Sequence, residues 1–544
     1  MNLDTELLSS FDRFFAQRLS TTPEEIPLLA TLMAISRRGH LALSLNPKSL
    51  EEQLRAIAPQ DPSTLDQIIL GAEKLSSSIV AMTNALDFEA PKKPLCRCND
   101  QIYLQKNWVY ESLFLSHIQR LKNGSAIDLG SSLTMENLNA EQKTAVENGL
   151  THPLSIITGG PGTGKTYTAA QLVLNCLSAL EAEQRENFRV ILAAPTGKAV
   201  AHLEKNILKY ITAPFKLLSG TLHALLKYKI DRDRDEETTL LADLILIDEC
   251  SMIDAALFSA LLQAIPTGTR IVLIGDSNQL SPVESGSFFA DLVDCSILPI
   301  THLKTSLRSE SLEILNFAAE IQSGNLCIEG GAVSRIDLHM QRGSETAFSH
   351  ALWACVEKRF PKMSPLEPVA EELLMRNDEF RILCCMRQGF FGVDSINQML
   401  VERYRDVSDG WLPIPVLITR NDYALELYNG DVGFLVKRIS KESMNYAIFS
   451  GKKGEVRKIS AYALPSFEYA YCLSVHKSQG SEYNDILLLA PEGSEVFGRE
   501  VLYTAVTRAR KSVLFDAFPQ VFEKAVRMSS RKVSGILTRS QAVL

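Results

Sequence analysis

Gly159-Gly160-Pro161-Gly162-Thr163-Gly164-Lys165-Thr166 sets glycines, a lysine and a hydroxyl at the spacing GxxxxGK[ST]. Glycines let a loop turn its backbone N–H groups inward around an anion, and a helix starting at the end of the loop adds positive potential. In that arrangement Lys165 reaches the terminal phosphates of a nucleotide and the Thr166 hydroxyl is a ligand for Mg²⁺. Further along, Asp248 and Glu249 close the apolar run 244–248. Asp248 reads as a second metal-side ligand acting through water, and Glu249 as the group that polarises an attacking water. An Asp-Glu pair alone is usually a solvated strand end; beside a phosphate loop the chemical reading prevails.

Such a loop works only between a strand and a helix, and the flanking residues supply both: SIIT (155–158) before it and YTAAQLVLNCLSAL (167–180) after it. The runs 189–194, 243–248 and 270–275 are continuously apolar, which suits central strands of a parallel sheet covered on both faces. A second set, 381–386, 469–475, 485–490 and 512–518, predicts a second sheet. The fold class is therefore α/β, with two parallel-sheet domains facing one another. Turn signals at Asn429-Gly430-Asp431, Ser450-Gly451 and Lys453-Gly454 predict a small β insertion over about 411–464 in the second domain. Apolar residues at three- and four-residue spacing, as in 28–43, predict a helical N-terminal docking domain. The expected division is 1–125 for that domain, 126–345 for the first sheet domain and 346–544 for the second. Residues 231–239 read as a charged, exposed excursion.

A chain of 544 residues exceeds one core. Its net charge of −8 excludes a broad basic coat for nucleic acid, so any such contact is local. The ten cysteines form no paired CxxC array and read as reduced thiols, with Cys96 and Cys98 as strand residues rather than half a metal site. A basic leader and an 18-residue apolar run are both missing, and the expected location is cytoplasmic.

Taken in order, the motifs resemble superfamily 1 helicases over residues 138–518. LNAEQKTAV (138–146) resembles the element in which Gln142 reads an adenine edge, which makes ATP the implied nucleotide. APTGKAVAHL (194–203) and GTLHALL (220–226) look like DNA-backbone contacts, offering Thr196, Lys198, Thr221 and His223. IGDSNQLSPVESGSFFADL (274–292) is similar to the segment that senses the γ-phosphate, through Asp276 and Gln279. LKTSLRS (303–309) supplies Arg308 as the implied first arginine finger, though Leu307 and Ser309 flank it where the family often has an aromatic. SVHKSQGSEY (474–483) offers His476 for DNA, and VLYTAVTRARKSV (501–513) supplies Arg508 as the cation from the facing domain.

Within the superfamily, GGPGTGKT, APTGKA, IDECSMID, GDSNQL, RNDYALELYNGDVG and VHKSQGSEY resemble the RecD family, although Cys250 stands where alanine is usual. The resemblance implies two RecA-like motor domains driven by ATP and Mg²⁺. It further implies 5′-to-3′ movement on single-stranded DNA from duplex ends and a heterotrimer with RecB-like and RecC-like subunits, acting in break repair and recombination. No nuclease signature is present, so degradation would fall to a partner. Other readings are a RecD-like helicase working alone, a nucleotide-dependent DNA-binding switch, and a small-molecule kinase, which would leave 274–292, 474–483 and 501–513 without a purpose. Lys198 also reads as a solvated helix residue, and His223 and His476 as structural histidines.

Overall fold

The computed structural model describes residues 8–55, 62–85, 87–89, 91–124, 137–211, 213–227, 239–305, 312–324, 332–338, 344–405, 410–422, 424–438, 445–451 and 455–543. In the N-terminal region helices are joined by four short strands, β1 (Ala42–Ser44), β2 (Val80–Met82), β3 (Leu95–Cys98) and β4 (Gln101–Leu104), in the order β1-β4-β3-β2. This sheet adds to the helical expectation. Its strands are too short for an alternating pattern to show in the sequence. Cys96 and Cys98 are strand residues buried beside Tyr103 and Trp108. The helix Gln105–Lys122 then sinks Phe114, Leu115, Ile118 and Leu121 into the core of the next domain, so the two share one apolar layer.

That next domain is built on β5 (Leu154–Gly159), β6 (Arg189–Ala194), β7 (Lys216–Thr221), β8 (Leu244–Ile247), β9 (Arg270–Gly275) and β10 (Ile300–Leu303). Their order is β10-β5-β9-β8-β6-β7, all neighbours parallel. Along β8, Ile245 and Ile247 join one layer with Phe258 and Phe288, while Leu244 and Leu246 join the opposite layer with Leu172 and Val173. Burial of both faces is why these strands read as unbroken apolar runs.

The second lobe comprises β11 (Val333–Arg335) and β12 (Phe380–Cys384), an inserted sheet of β13 (Trp411–Ile418), β14 (Val432–Arg438), β15 (Tyr446–Ser450), β16 (Val456–Ser460) and β17 (Phe467–Tyr469), then β18 (Cys472–Ser474), β19 (Tyr483–Ala490) and β20 (Ala509–Ala517). The main sheet is parallel in the order β11-β20-β19-β12-β18, and the insertion is antiparallel in the order β16-β15-β14-β13-β17.

Three boundaries differ from expectation. β11 pairs with β20, and the helix Leu312–Ser323 stacks Phe317 on Phe515 and Phe522, so residues 312–324 and 332–335 belong with the second lobe. Residues 469–475 are not one strand: Tyr469 ends β17, and Cys472 begins β18 in another sheet, which carries the insertion past 464. Finally, after the helix Pro519–Arg527 the chain leaves the second lobe. The helix Ile536–Val543 packs on the N-terminal region and the first lobe, with Ile536 inside the first-lobe core.

This returning segment is held by polar contacts. The Lys532 ammonium donates to the carbonyls of Pro282, Val283 and Glu284. Val533 N–H donates to His40 Nδ1 at 3.0 Å, and Leu41 N–H to Val533 O at 2.9 Å. Arg539 pairs with Glu111 at 3.1 Å, both fully buried, and lies 3.6 Å over the Trp108 ring. Gly535 passes where a Cβ would meet Tyr103 Oη at 1.8 Å, so no other residue fits there.

Candidate active site

β5 delivers the glycine loop and the helix Lys165–Ser178 carries it away. Gly162 and Gly164 adopt φ of 76° and 84°, a region where a side chain is strained. A Cβ on Gly159 would lie 2.6 Å from Leu303 O. Lys165 Nζ donates to Gly159 O at 2.7 Å and Gly160 O at 3.1 Å, and Thr163 Oγ1 to Gly160 O at 2.8 Å. Pro161 is buried and Thr166 follows Lys165 in the first helical turn.

At the end of β8, Asp248 Oδ1 accepts Glu249 N–H at 2.8 Å, and Glu249 takes the left-handed φ of 53°. Holding a non-glycine residue there costs roughly 1–2 kcal/mol, a strain typical of functional positions. Burial raises the pKa of both carboxyls. For Asp248 the Glu249 N–H and Lys165 oppose that rise; Glu249 is raised further by Asp248 and pulled back by Arg508 and Lys165. Four of the residues expected from the sequence thus share one electrostatic neighbourhood, Arg508 reaching it from the other lobe.

Two glutamines expected from the sequence each carry a buried side-chain atom lacking a protein partner. Gln142 Oε1 accepts Asn139 N–H at 3.2 Å in a helix-capping box, which leaves Nε2 unpaired. Gln279 Nε2 donates to Asp276 Oδ2 at 3.1 Å, which leaves Oε1 unpaired. A buried polar atom without a partner costs about 1–3 kcal/mol, which a nucleotide or its water could recover. These orphans, the inward lysine and the open glycine loop fit a bound nucleoside triphosphate. Asp248 and Thr166 suffice for Mg²⁺, which keeps few protein ligands beside phosphate oxygens.

Arg508 is 3% exposed, its guanidinium donating to Thr504 O at 3.1 Å and Ser481 O at 3.3 Å. The lobes meet around it through hydroxyls that the sequence reading missed. Tyr503 donates to Asp276 Oδ2 at 3.0 Å, Leu280 N–H donates to Thr504 Oγ1 at 2.9 Å, and Lys198 Nζ to Ser481 Oγ at 2.9 Å. Arg308 and residues 228–238 lie outside the described residues.

The expected DNA contacts are spread over three elements. Thr196 and Thr221 cap the helices Gly197–Leu208 and Leu222–Leu225 by accepting Ala199 N–H and Ala224 N–H, each at 3.3 Å. Lys198 crosses the cleft rather than extending into solvent. The insertion reaches the same helix start, since a Cβ on Gly197 would lie 3.1 Å from Tyr428 Cβ. His223 is exposed. His476 is half-buried with its ring centre 6.4 Å from Phe497, and its pKa is lowered by burial and then by Lys532. Among the described residues no helix is long and apolar enough to cross a membrane.

Residues 142–285 match the AAA domain family and residues 469–515 the UvrD-like helicase C-terminal domain. The RecBCD enzyme subunit RecD of Mycolicibacterium smegmatis is 30% identical over 98% of both chains. The RecBCD enzyme subunit RecD of Mycobacterium tuberculosis is 32% identical over 74% of this chain and 73% of its own. The ATP-dependent RecD2 DNA helicase of Deinococcus radiodurans is 28% identical over 75% of this chain but 53% of its own.

Proposed function

Because the chain belongs to the family of RecD subunits of the RecBCD enzyme, we propose that the cleft between its lobes is where this ATP-dependent superfamily 1 DNA helicase couples hydrolysis to movement. The observation that carries this is the placement of Arg508: it belongs to the second lobe and is buried, and Tyr503 and Thr504 on the helix before it hydrogen-bond to Asp276 and Leu280 of the first.

In this reading Lys165 and the N–H groups of Gly159 to Thr166 hold the phosphates, Thr166 and Asp248 hold Mg²⁺, and the spare Gln142 amide N–H meets the adenine edge. When bound, ATP with Mg²⁺ supplies a phosphoryl group that can be transferred to water. Glu249, made more basic by burial and by Asp248, polarises that water, while Arg508 and Arg308 oppose the charge that develops. Arg508 is in place only when the lobes are together. Nucleotide therefore favours the closed cleft, and loss of phosphate removes the preference.

Thr196, Lys198, Thr221, His223 and His476 would follow the DNA backbone, giving binding without a base code. On this reading the chain works with RecB-like and RecC-like partners, loads at duplex ends, moves 5′ to 3′ and serves break repair; the RecBCD subunit name of its relatives supports the partners. The test is ATP turnover with and without single-stranded DNA, on material checked by mass for bound partners. DNA-stimulated turnover that Lys165→Ala abolishes is expected. Turnover indifferent to DNA would overturn the motor, and a fully active unpartnered monomer the subunit assignment.

A further inference from the structure

Tyr503 is buried, and its hydroxyl donates across the cleft to Asp276 Oδ2 at 3.0 Å. That oxygen also accepts Gln279 Nε2 at 3.1 Å, while Asp276 Oδ1 accepts Asn278 N–H at 3.1 Å. Asp276 is thus a hub with one donor from the second lobe and the others from the first. Occupying Gln279 Nε2 decides which end of that amide is left over: the buried Oε1, an acceptor without a partner. The same tyrosine hydroxyl stands over the phosphate loop, where a Cβ on Gly160 would lie 3.3 Å from it.

Resting on the hydrolytic reading above, we propose that Tyr503 is a positioning residue for ATP hydrolysis, delivered by the closing second lobe to lock Asp276 and, through it, to present Gln279 Oε1 to the attacking water. In the reaction the water oxygen bonds to the terminal phosphorus as the bond from that phosphorus to the bridging oxygen breaks. ADP leaves with the bonding pair, and one water proton passes to Glu249. Gln279 Oε1 only accepts a hydrogen bond from the other O–H. Burial and then Asp276 push the Tyr503 phenol well above its usual pKa, so it remains a donor throughout the working pH range. Closure and water alignment become one event, and an open cleft does not hydrolyse efficiently.

The test is a double-mutant cycle on the full chain with its co-purifying partners. It reads DNA-stimulated kcat, KM for ATP, and the affinity for a fluorescent ADP. Tyr503→Phe keeps the ring and loses the hydroxyl; kcat is expected to fall about tenfold or more, with KM and ADP affinity within about twofold. Combined with Gln279→Ala, it should cost nothing beyond Gln279→Ala alone, because both act through one path. Thr504→Val removes the neighbouring lobe contact to Leu280 without removing the hydroxyl on Asp276, and its kcat gives the cost of losing a lobe contact outside that path. Wild-type kcat in Tyr503→Phe, or multiplying losses in Tyr503→Phe with Gln279→Ala, overturns the inference. If the unaltered protein lacks DNA-stimulated turnover, the function itself is refuted and Tyr503 with it. A DNA-stimulated protein whose Tyr503→Phe cycle fails refutes only the tyrosine's role.

Discussion

Arg539→Ala should release the returning C-terminal segment. Arg539 and Glu111 are 1% and 0% exposed, and Glu111 also accepts Gly535 N–H at 2.8 Å and Tyr103 OH at 3.2 Å. Burial holds the Glu111 pKa up, and Arg539 is the strongest influence opposing it. Removing the guanidinium leaves an uncompensated buried acid, a defect worth about 3–5 kcal/mol. It also strips the Trp108 face of its cation and the Ser112 hydroxyl of its donor. In a multidomain chain this is read as local opening rather than global unfolding. About 4 kcal/mol corresponds to roughly a thousandfold faster amide exchange in the helix Ile536–Val543, followed by hydrogen-exchange mass spectrometry. Arg539→Met with Glu111→Gln removes both charges while keeping an acceptor for Gly535 and Tyr103, and should recover most of the protection. Exchange in Arg539→Ala within about threefold of the unaltered protein, or a double variant as open as the single, would refute the reasoning.

Arg508→Ala should leave nucleotide affinity nearly unchanged and slow DNA-stimulated turnover about 10³-fold, as measured by single-turnover hydrolysis against equilibrium binding. Acid should remove the His40 contribution to the same C-terminal seam. His40 is lowered from 6.5 to about 4, first by burial and then by Lys532 and Arg38, and its Nδ1 is occupied as an acceptor for Val533 N–H. Below pH 6.5 the unfolded state binds a proton that the folded His40 refuses, so the His40 contribution falls by about 3 kcal/mol as pH drops from 6.5 towards 4, while buried Asp291, raised to about 7 and bonded to Ser534, contributes with the opposite sign. The check is exchange of residues 533–543 between pH 7 and pH 4.5: acid should speed it more, or slow it less, in the unaltered protein than in His40→Asn.

The phosphate loop and the buried strands around it were legible because their chemistry tolerates few residue types: glycine at Gly162 and Gly164, and uninterrupted apolar runs where both sheet faces are covered. Arg508 was legible through its place in an ordered motif. Tyr503, Thr504 and Ser481 were not, since hydroxyls are common and their meaning lies in what the opposite lobe brings within 3 Å or so. Edge strands such as β11 carry too few residues to show a period. The split between β17 and β18 was hidden because Ala470 and Tyr471 are themselves buried and apolar. Placement of Ile536 in the first-lobe core depends on long-range docking that no local pattern encodes.

Glu111 and Arg539 stand 428 positions apart. At roughly 5–20 residues per second, the ribosome makes the acid tens of seconds before its counter-ion. During that interval Glu111 lacks the guanidinium that pairs with it in the finished fold, while both parallel sheets are still being made. The earliest part of the protein to emerge is therefore among the last to mature, and any product stopping short of Lys532 carries an unfinished N-terminal region however well its sheets have formed.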